Sequence, residues 1–283
     1  MKNLKDKVVV ITGAASGIGQ SLAKVFAEQG SHLLLNDYDP QGLEATVQEL
    51  RQTAGASQKI ESMHFDVSDK TKVQAFADQA QQIFGQVDVV VNNAGVALGR
   101  VSAEEVTYED FDWIMGINFW GMVYGTRAFL PLLKQQPEAA LVNISSVFGL
   151  AGIAFQSAYC TTKFAIRGFT ESLRMESLMT FPQVTIHTVH PGGINTNIVK
   201  NSRWDNTNLS ETERNEFSKN FQKSLKSSPY ATAQQIVKGI QRKKSRILVG
   251  HKATLLDKVV RLFPGTYSGK LLKSLKKEGV KLE

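Results

Sequence analysis

The stretch VVVITGAASGIG, residues 8–19, sets the pattern by which the rest of the chain is interpreted. Residues 8–11 are continuously apolar and β-branched, which is typical of a parallel strand buried on both faces. The glycines that follow, Gly13, Gly17 and Gly19, allow a tight turn and a close approach of the backbone to a pyrophosphate at the start of a helix. The stretch therefore predicts a strand, a phosphate-binding turn and a helix, which is how a doubly wound α/β sheet begins.

The second predicted strand, residues 32–36, is followed by Asp37, eighteen residues past Gly19. A carboxylate at this point can accept hydrogen bonds from the adenosine ribose hydroxyls, and it repels a 2′-phosphate. Neither the glycine turn nor Tyr38 supplies a lysine or arginine that could bind such a phosphate. The sequence therefore favours NAD as the cofactor, with NADP as the alternative.

Strand and helix patterns go on alternating as far as residue 250, which predicts a single doubly wound α/β domain of the Rossmann type. The predicted strands are residues 60–65, 87–91, 141–144, 184–189 and 246–249, and predicted helices include 39–55, a long one around 113–120, one from 159 and one capped by 232–235. Ser210 and Glu213 form a capping-box pattern, which predicts a short helix within the polar region 197–229. We expect a dehydrogenase domain over residues 1–250 and an extension over residues 251–283.

A second stretch, LVNISSVFGLAGIAFQSAYCTTKF at residues 141–164, carries groups suited to acid–base chemistry. Tyr159 and Lys163 stand four residues apart, so they share one face if the segment is helical. An ammonium close to a phenol favours the phenolate and lowers a pKa that is normally about 10. Ser146 lies thirteen residues before Tyr159 at the end of a strand, where open α/β sheets bind ligands. Taken alone, the Tyr–Lys spacing also fits an ordinary amphipathic helix with a solvated lysine.

These residues, together with TGAASGIG at 12–19, NNAG at 92–95 and PGGINT at 191–196, resemble the short-chain dehydrogenase/reductase (SDR) family over roughly residues 5–250. The resemblance implies hydride transfer between a nicotinamide and an alcohol/carbonyl pair. It implies that Tyr159 is the general acid/base, that Lys163 lowers its pKa and orients the nicotinamide ribose, and that Ser146 holds the carbonyl oxygen. It also implies that Asn118 holds a water in a proton relay to the lysine.

The resemblance further implies a set of cofactor contacts and a substrate lid at about residues 194–230. The implied cofactor-binding residues are Gly13, Ser16, Gly17, Ile18, Gly19, Asp37, Asp66, Val67, Asn93, Ala94, Gly95, Tyr159, Lys163, Pro191, Gly192, Ile194 and Thr196. Trp204 and Phe221 are the expected apolar contacts of the lid. Purely structural interpretations remain open at three positions: Asn118 as a buried amide, Asp66 as a turn or cap, and Ser145 as the functional serine in place of Ser146.

Composition narrows the possible compartment and the possible partners of the protein. The chain has 283 residues, 42% of them apolar and 21% charged, and Cys160 is its only cysteine. One cysteine forms no intrachain disulfide, which suits a reducing compartment, and no histidine spacing fits a metal site. There is no signal peptide pattern and no run near the roughly 20 apolar residues of a membrane span. We therefore expect a cytoplasmic protein without a metal or nucleic-acid partner.

The net charge of +7 belongs to the C-terminal end. Residues 238–283 hold thirteen Lys and Arg against three acidic residues, or +10, which leaves −3 for the rest of the chain. Within residues 253–265 the apolar side chains Leu255, Leu256, Val259, Val260, Leu262 and Phe263 are expected on one helical face, and Leu271, Leu272 and Leu275 repeat the pattern. Such a face could pack on its own subunit, pack on a sister subunit in a homodimer or homotetramer, or lie on an anionic membrane surface.

The sequence thus predicts an NAD-dependent oxidoreductase, and the tail favours lipophilic substrates and a peripheral position on the inner membrane face. Two alternatives remain. One is a carrier-protein-linked 3-ketoacyl reductase, which Asp37 disfavours because reductive synthesis generally uses NADPH. The other is a catalytically idle sensor or scaffold, which the complete Ser–Tyr–Lys–Asn set disfavours.

Overall fold

The structure is a computed structural model that describes residues 1–198, 200–204 and 210–277, without the side chains of 221, 223, 224 and 274–277. Seven parallel strands form one sheet in the order β3-β2-β1-β4-β5-β6-β7. The strands are β1 (Val8–Thr12), β2 (His32–Asp37), β3 (Ile60–His64), β4 (Val89–Asn92), β5 (Ala139–Ile144), β6 (Val184–Gly192) and β7 (Arg246–Gly250). The predicted doubly wound α/β fold in a single domain is confirmed.

Helices cover both faces of the sheet. They are α1 (Gly17–Glu28), α2 (Pro40–Thr53), α3 (Lys70–Phe84), α4 (Tyr108–Met115), α5 (Gly121–Lys134), α6 (Ser157–Thr180), α7 (Glu211–Ser224), α8 (Pro229–Gln241), α9 (Ala253–Leu262) and α10 (Tyr267–Lys277). A π-helical turn (Gly116–Trp120) joins α4 to α5, and a 3₁₀ turn (Val147–Gly149) follows β5. The two faces of the sheet are covered by separate apolar clusters, one around Leu22 and Phe26 and the other around Phe76 and Phe129.

The strand order reverses between β1 and β4, so the crossovers diverge there and leave a crevice beyond the carboxyl ends of the strands. Buried polar side chains join the strands beneath this crevice. Asn92 on β4 donates to Thr126 (3.1 Å) and to Asn143 on β5 (2.8 Å), and Asn143 donates to Thr170 on α6 (2.9 Å). Each of these four side chains has a hydrogen-bond partner within the network. The network therefore holds α5 and α6 against the sheet and offsets the cost of burying its polar groups.

At three element boundaries the predicted and observed positions can be compared, and one of the three predictions is correct. The capping box of Ser210 and Glu213 is present and starts α7 as predicted. The start of α8 was predicted a turn too late, because Ser228 is the N-cap and the Thr232 hydroxyl donates to the Ser228 carbonyl inside the helix (2.8 Å). Strand β6 continues past the predicted end at Val189 because it pairs with β7 as far as Gly192.

The extension begins against the sheet. Ala253 in α9 is buried, and the Asp257 carboxylate lies 2.9 Å from the Arg246 guanidinium of β7. The predicted single apolar face of α9 is divided between two sides: Leu256 and Val260 are half-buried near Ala253 and Asp257, whereas Leu255 and Leu262 are exposed. The predicted Leu275 contact lies outside the described side chains.

Candidate active site

The glycine turn after β1 forms a cradle at the start of α1. Gly13 and Gly17 have φ of +70° and +60°, a conformation that L side chains rarely adopt. A Cβ on Gly13 would lie 2.8 Å from Ala94 Cα, and one on Gly17 would lie 3.2 Å from Thr196 Cγ2. The Ser16 side chain makes no capping hydrogen bond, so backbone N–H groups at the start of α1 can point at a phosphate. The cradle therefore fits a dinucleotide pyrophosphate.

Residues 92–95 brace this cradle from the neighbouring strand. The Thr12 hydroxyl oxygen accepts from the backbone N–H groups of Asn93 and Ala94, both at 3.1 Å. The Asn93 amide in turn donates to the carbonyls of Thr12 (2.9 Å) and Gly13 (3.0 Å). Thr12 was missed by sequence reasoning, because only its proximity to Asn93 in the folded sheet reveals its role.

The two predicted aspartates of the adenosine side both contact backbone. The Asp37 carboxylate accepts from the N–H of Ala15 in the glycine turn (2.8 Å) and from the N–H of Asp39 (2.9 Å). Each of its oxygens keeps a further lone pair, so it can still accept from a ribose. Asp66 accepts from the N–H of Ser68 (2.9 Å), which is the turn role considered above. Its contact with adenine stays a prediction. Val67, beside it, packs against Gly121, where an added Cβ would lie 2.7 Å from Val67 Cγ2.

Asn118 lies in the π-helical turn, whose extra residue directs its side chain into the fold. Its Oδ1 accepts from the Val96 N–H (2.8 Å), and its Nδ2 donates to the Val96 carbonyl (3.0 Å) and to the Thr162 hydroxyl (3.1 Å). The side chain therefore acts as a fully bonded structural amide that ties Val96 to α6. A Cβ on Gly95 would lie 3.2 Å from Asn118 Oδ1 and 3.4 Å from Lys163 Nζ, so the three residues meet. The predicted water-holding role of Asn118 stays a prediction.

Ser146, Tyr159 and Lys163 meet beyond the end of β5. The Ser146 hydroxyl lies near the Tyr159 hydroxyl, where it favours the phenolate, and Lys163 Nζ lies 5.5 Å from the centroid of the Tyr159 ring. Lys163 also donates to the Ile144 carbonyl (3.3 Å). Ser145 points elsewhere, since its hydroxyl donates to the Lys163 carbonyl (2.8 Å) inside the core. Ser146 is therefore the serine whose hydroxyl meets that of Tyr159.

Burial controls the protonation of this group. It raises the pKa of Tyr159 to about 12, against a smaller lowering by the nearby Ser146 hydroxyl, and it lowers the pKa of Lys163 to about 8. The pKa of Tyr159 is therefore above its ordinary value because of desolvation of the phenolate, and the predicted lowering of this pKa by Lys163 stays a prediction. A phenol with this pKa is protonated at neutral pH and can donate a proton.

The His190 imidazole is hydrogen-bonded to the backbone of Ser146. The carbonyl of Ser146 can only accept, so the Nδ1 of His190, 2.9 Å away, must be its donor. The Nε2 atom is buried and has no hydrogen-bond partner among the described residues. Burial lowers the pKa of His190 to about 4, as it does for His187 on the same strand. His190 therefore lies within β6 with one nitrogen that has no partner among the described residues.

The described part of the predicted lid contacts the rest of the chain through Trp204. A Cβ added to Gly99 would clash with the Trp204 ring, which also packs edge-on against Phe217 with centroids 5.8 Å apart. The Phe221 side chain lies outside the described residues. Ile194 is buried and bridges to Ser227, which fixes the start of the lid next to Pro191 and Gly192 at the end of β6.

The described part of the chain also bears on metal binding and on membrane crossing. No group of three or more His, Cys, Asp or Glu residues there could hold a metal ion. None of the helices described combines the length and the apolar character that crossing a bilayer requires.

Comparison with known proteins agrees with this geometry. Residues 7–207 match the family model described as short chain dehydrogenase. SadH of Mycobacterium tuberculosis, an oxidoreductase by name, is 40% identical over 269 residues, which are 94% of each chain. Dehydrogenase/reductase SDR family member 7B of Xenopus tropicalis is 32% identical over 97% of this chain and 87% of its own length.

Two solved structures are similar over most of this chain. A short-chain dehydrogenase/reductase from Burkholderia phymatum in complex with NAD has a TM-score of 0.84 and 30% identity, covering 95% of this chain and 97% of its own. Levodione reductase has a TM-score of 0.72 and 27% identity, covering 84% of this chain and 91% of its own.

The two buried histidines generate a prediction about pH. Their pKa values of about 4 lie below the unfolded value of about 6.5, so between these values the unfolded chain binds more protons. We expect the free energy of unfolding to fall as the pH is lowered through this window, by up to about 3 kcal/mol for each histidine. An NMR titration of the imidazoles should leave His187 and His190 neutral down to about pH 4. Titration of both near pH 6.5 would contradict this.

Proposed function

Because this chain belongs to the short-chain dehydrogenase/reductase family, we propose that it transfers a hydride between a nicotinamide cofactor and an alcohol/carbonyl pair. The observation that carries the proposal is the meeting of Ser146, Tyr159 and Lys163 beyond the end of β5, with Lys163 Nζ 5.5 Å from the centroid of the Tyr159 ring. The sensor or scaffold alternative is not favoured, since the chain retains all four side chains that the chemistry needs.

The nicotinamide, when bound, supplies or accepts the hydride. The protein's own residues handle the proton. Ser146 holds the substrate oxygen by a hydrogen bond, and Tyr159, protonated at neutral pH, donates its proton to that oxygen as a carbonyl is reduced. For alcohol oxidation, Tyr159 must first lose a proton, and Lys163 is the adjacent group. Because the pKa of Lys163, about 8, lies well below that of Tyr159, about 12, transfer of that proton to the Lys163 amine is uphill by about 5 kcal/mol.

NAD is the proposed cofactor. Asp37 places a carboxylate beside the glycine turn, where a 2′-phosphate would meet its negative charge. The neighbouring Tyr38 is exposed and uncharged, so it offers no counterion to such a phosphate. The NAD-bound relative from Burkholderia phymatum supports the same assignment. Asp37 also disfavours the carrier-protein-linked ketoacyl reductase.

The acid–base role of Tyr159 is tested by removing only its hydroxyl. We expect Tyr159→Phe to lower kcat by at least about 10²-fold, since general acid–base catalysis contributes about 10²–10⁴. Binding of NAD, followed by quenching of tryptophan fluorescence, should stay nearly unchanged because the ring keeps its volume. Tyr108→Phe, the same change on an exposed tyrosine, is the control. Activity of Tyr159→Phe within about tenfold of the wild type would assign the proton transfer to another residue.

Cofactor choice is tested with Asp37→Asn, which keeps one side-chain acceptor for the backbone but removes the charge. The wild type should show a higher kcat/KM with NAD than with NADP, and the variant should narrow that ratio about tenfold by relieving repulsion of the 2′-phosphate. Asp66→Asn is the matched control and should leave the ratio unchanged. A wild-type preference for NADP would refute the assignment.

We further propose a lipophilic substrate and peripheral contact of a cytoplasmic protein with the inner membrane face. The outer side of α9 and α10 exposes Leu255, Leu262, Phe263 and Leu272. The exposed cations Lys258, Lys270 and Lys273 share these helices. Insertion of the leucines into the lipid would favour membrane binding, and each cation near an anionic surface would contribute about 1 kcal/mol to the same binding free energy. Substrates dissolved in the lipid would then lie close to the wall of the crevice that the C-terminal extension contacts.

Self-association to a homodimer or homotetramer is retained as a proposal on a different surface. The outer face of α6 exposes Phe164, Met175, Leu178 and Met179 at helical spacing. Exposed apolar side chains grouped on one helix face commonly mark a contact between protein chains.

A matched pair of substitutions separates these two surfaces, because Leu255 and Leu178 are each 58% exposed. The wild type should sediment at low salt with vesicles containing phosphatidylglycerol, and much less with phosphatidylcholine alone or at high salt. Leu255→Ser should weaken this binding about tenfold, the effect of one buried leucine, while Leu178→Ser should instead alter the mass measured by sedimentation equilibrium. Deleting residues 251–283 is a poorer test, since it would also remove the buried Ala253 and Asp257. Absence of sedimentation with anionic vesicles would end the membrane proposal.

A further inference from the structure

Residues 147–156 form the segment that joins Ser146 to α6, and they will be called the connecting segment. It begins directly after the serine and ends three residues before Tyr159, so its conformation affects both. Phe148 packs edge-on against the Tyr159 ring, with centroids 5.9 Å apart and planes at 82°. A shift of this segment would therefore change the surroundings of the reacting atoms as well as one wall of the crevice.

The connecting segment is held in a strained conformation. Phe155 has φ of +62°, which a bulky side chain rarely adopts and which persists only where neighbouring contacts enforce it. The Arg100 guanidinium lies 4.0 Å from the centroid of the Phe155 ring, and the Val101 N–H donates to the Phe155 carbonyl (3.3 Å). These contacts fix the end of the segment nearest Tyr159.

The middle of the segment is fixed from the C-terminal extension. The Gly152 N–H donates to the Tyr267 hydroxyl in α10 (3.2 Å), across 115 residues of chain. Arg167 in α6 donates to the Gly149 carbonyl (3.4 Å) and pairs with Glu171 (3.1 Å).

An ion-pair chain ties the extension to the same place. Arg246 on β7 bridges Glu171 on α6 (2.6 Å) and Asp257 on α9 (2.9 Å). Since Asp257 is largely buried, this contact is shielded from solvent and holds α9 firmly. Tyr267 thus reaches the connecting segment from a helix pair that is itself anchored to the catalytic helix.

We propose that Tyr267 is a positioning residue that fixes the connecting segment and thereby determines which substrates the crevice accepts. The inference rests on the proposed dehydrogenase function and deepens it by assigning specificity to the extension. Large substrates, which must lie along the wall formed by residues 147–156, depend on this contact. Small ones, which need only reach Ser146 and Tyr159, do not.

Tyr267→Phe tests the proposal because it removes the hydroxyl and keeps the ring. We expect KM to rise between about twofold and tenfold for decanol, the range that one neutral hydrogen bond contributes, with kcat and the KM for propan-2-ol and NAD unchanged. Hydrogen–deuterium exchange of residues 147–156 should become faster, while residues 8–19 keep the wild-type rate. Asp257→Asn should have the same pattern of effects, and Tyr108→Phe should have none.

Unchanged KM values together with unchanged exchange of residues 147–156 would overturn the proposal. Equal losses on decanol and propan-2-ol, accompanied by a lower Tm, would also overturn it, since they indicate a purely structural role. If the wild type turns over neither alcohols nor carbonyl compounds, the proposed function fails. The exchange measurement needs no substrate, so it still confirms or overturns the positioning of residues 147–156 by Tyr267.

Discussion

Hydrogen bonds between Thr12 and the segment after β4 join the two halves of the sheet where its order reverses, and the rest of the site depends on that junction. The crevice exists because crossovers leave in opposite directions from β1 and β4. Without a brace, the glycine turn and residues 92–95 would be two separate loops. Pairing Thr12 with Asn93 makes them one rigid surface, against which Gly13 leaves room only for a hydrogen.

Exclusion of water is the second constraint. Tyr159, Lys163 and His190 all have pKa values moved toward their neutral forms by burial. Burial thus separates the pKa values of Tyr159 and Lys163, whereas a solvated phenol and ammonium have nearly equal ones, so the buried phenol keeps its proton and is held as a proton donor. The buried amides of Asn92, Asn118 and Asn143 keep these surroundings in place, because every one of them bonds to a neighbouring element.

The C-terminal extension has two chemically different sides. Its inner side presents Ala253 and Asp257 to the sheet and Tyr267 to the connecting segment. Its outer side presents Leu255 and Leu262 with lysines around them. The two roles proposed for the extension, positioning of the connecting segment and contact with a lipid surface, therefore use different sides of the same helices.

The sequence by itself determined the fold class, most strand positions and the residues able to do chemistry, because these depend on local periodicity and on the spacing within one helix. It predicted Asp37, Ser146, Tyr159 and Lys163 as one set, and the structure brings the last three together. Tertiary structure alone decided between Ser145 and Ser146, gave Asn118 a fully bonded side chain and raised the pKa of Tyr159 where the sequence indicated a lower one. It also placed Tyr267 against Gly152 and divided the apolar residues of α9 between two sides. Burial and contacts between residues distant in the chain govern these outcomes, and neither is a property of neighbouring letters in a sequence.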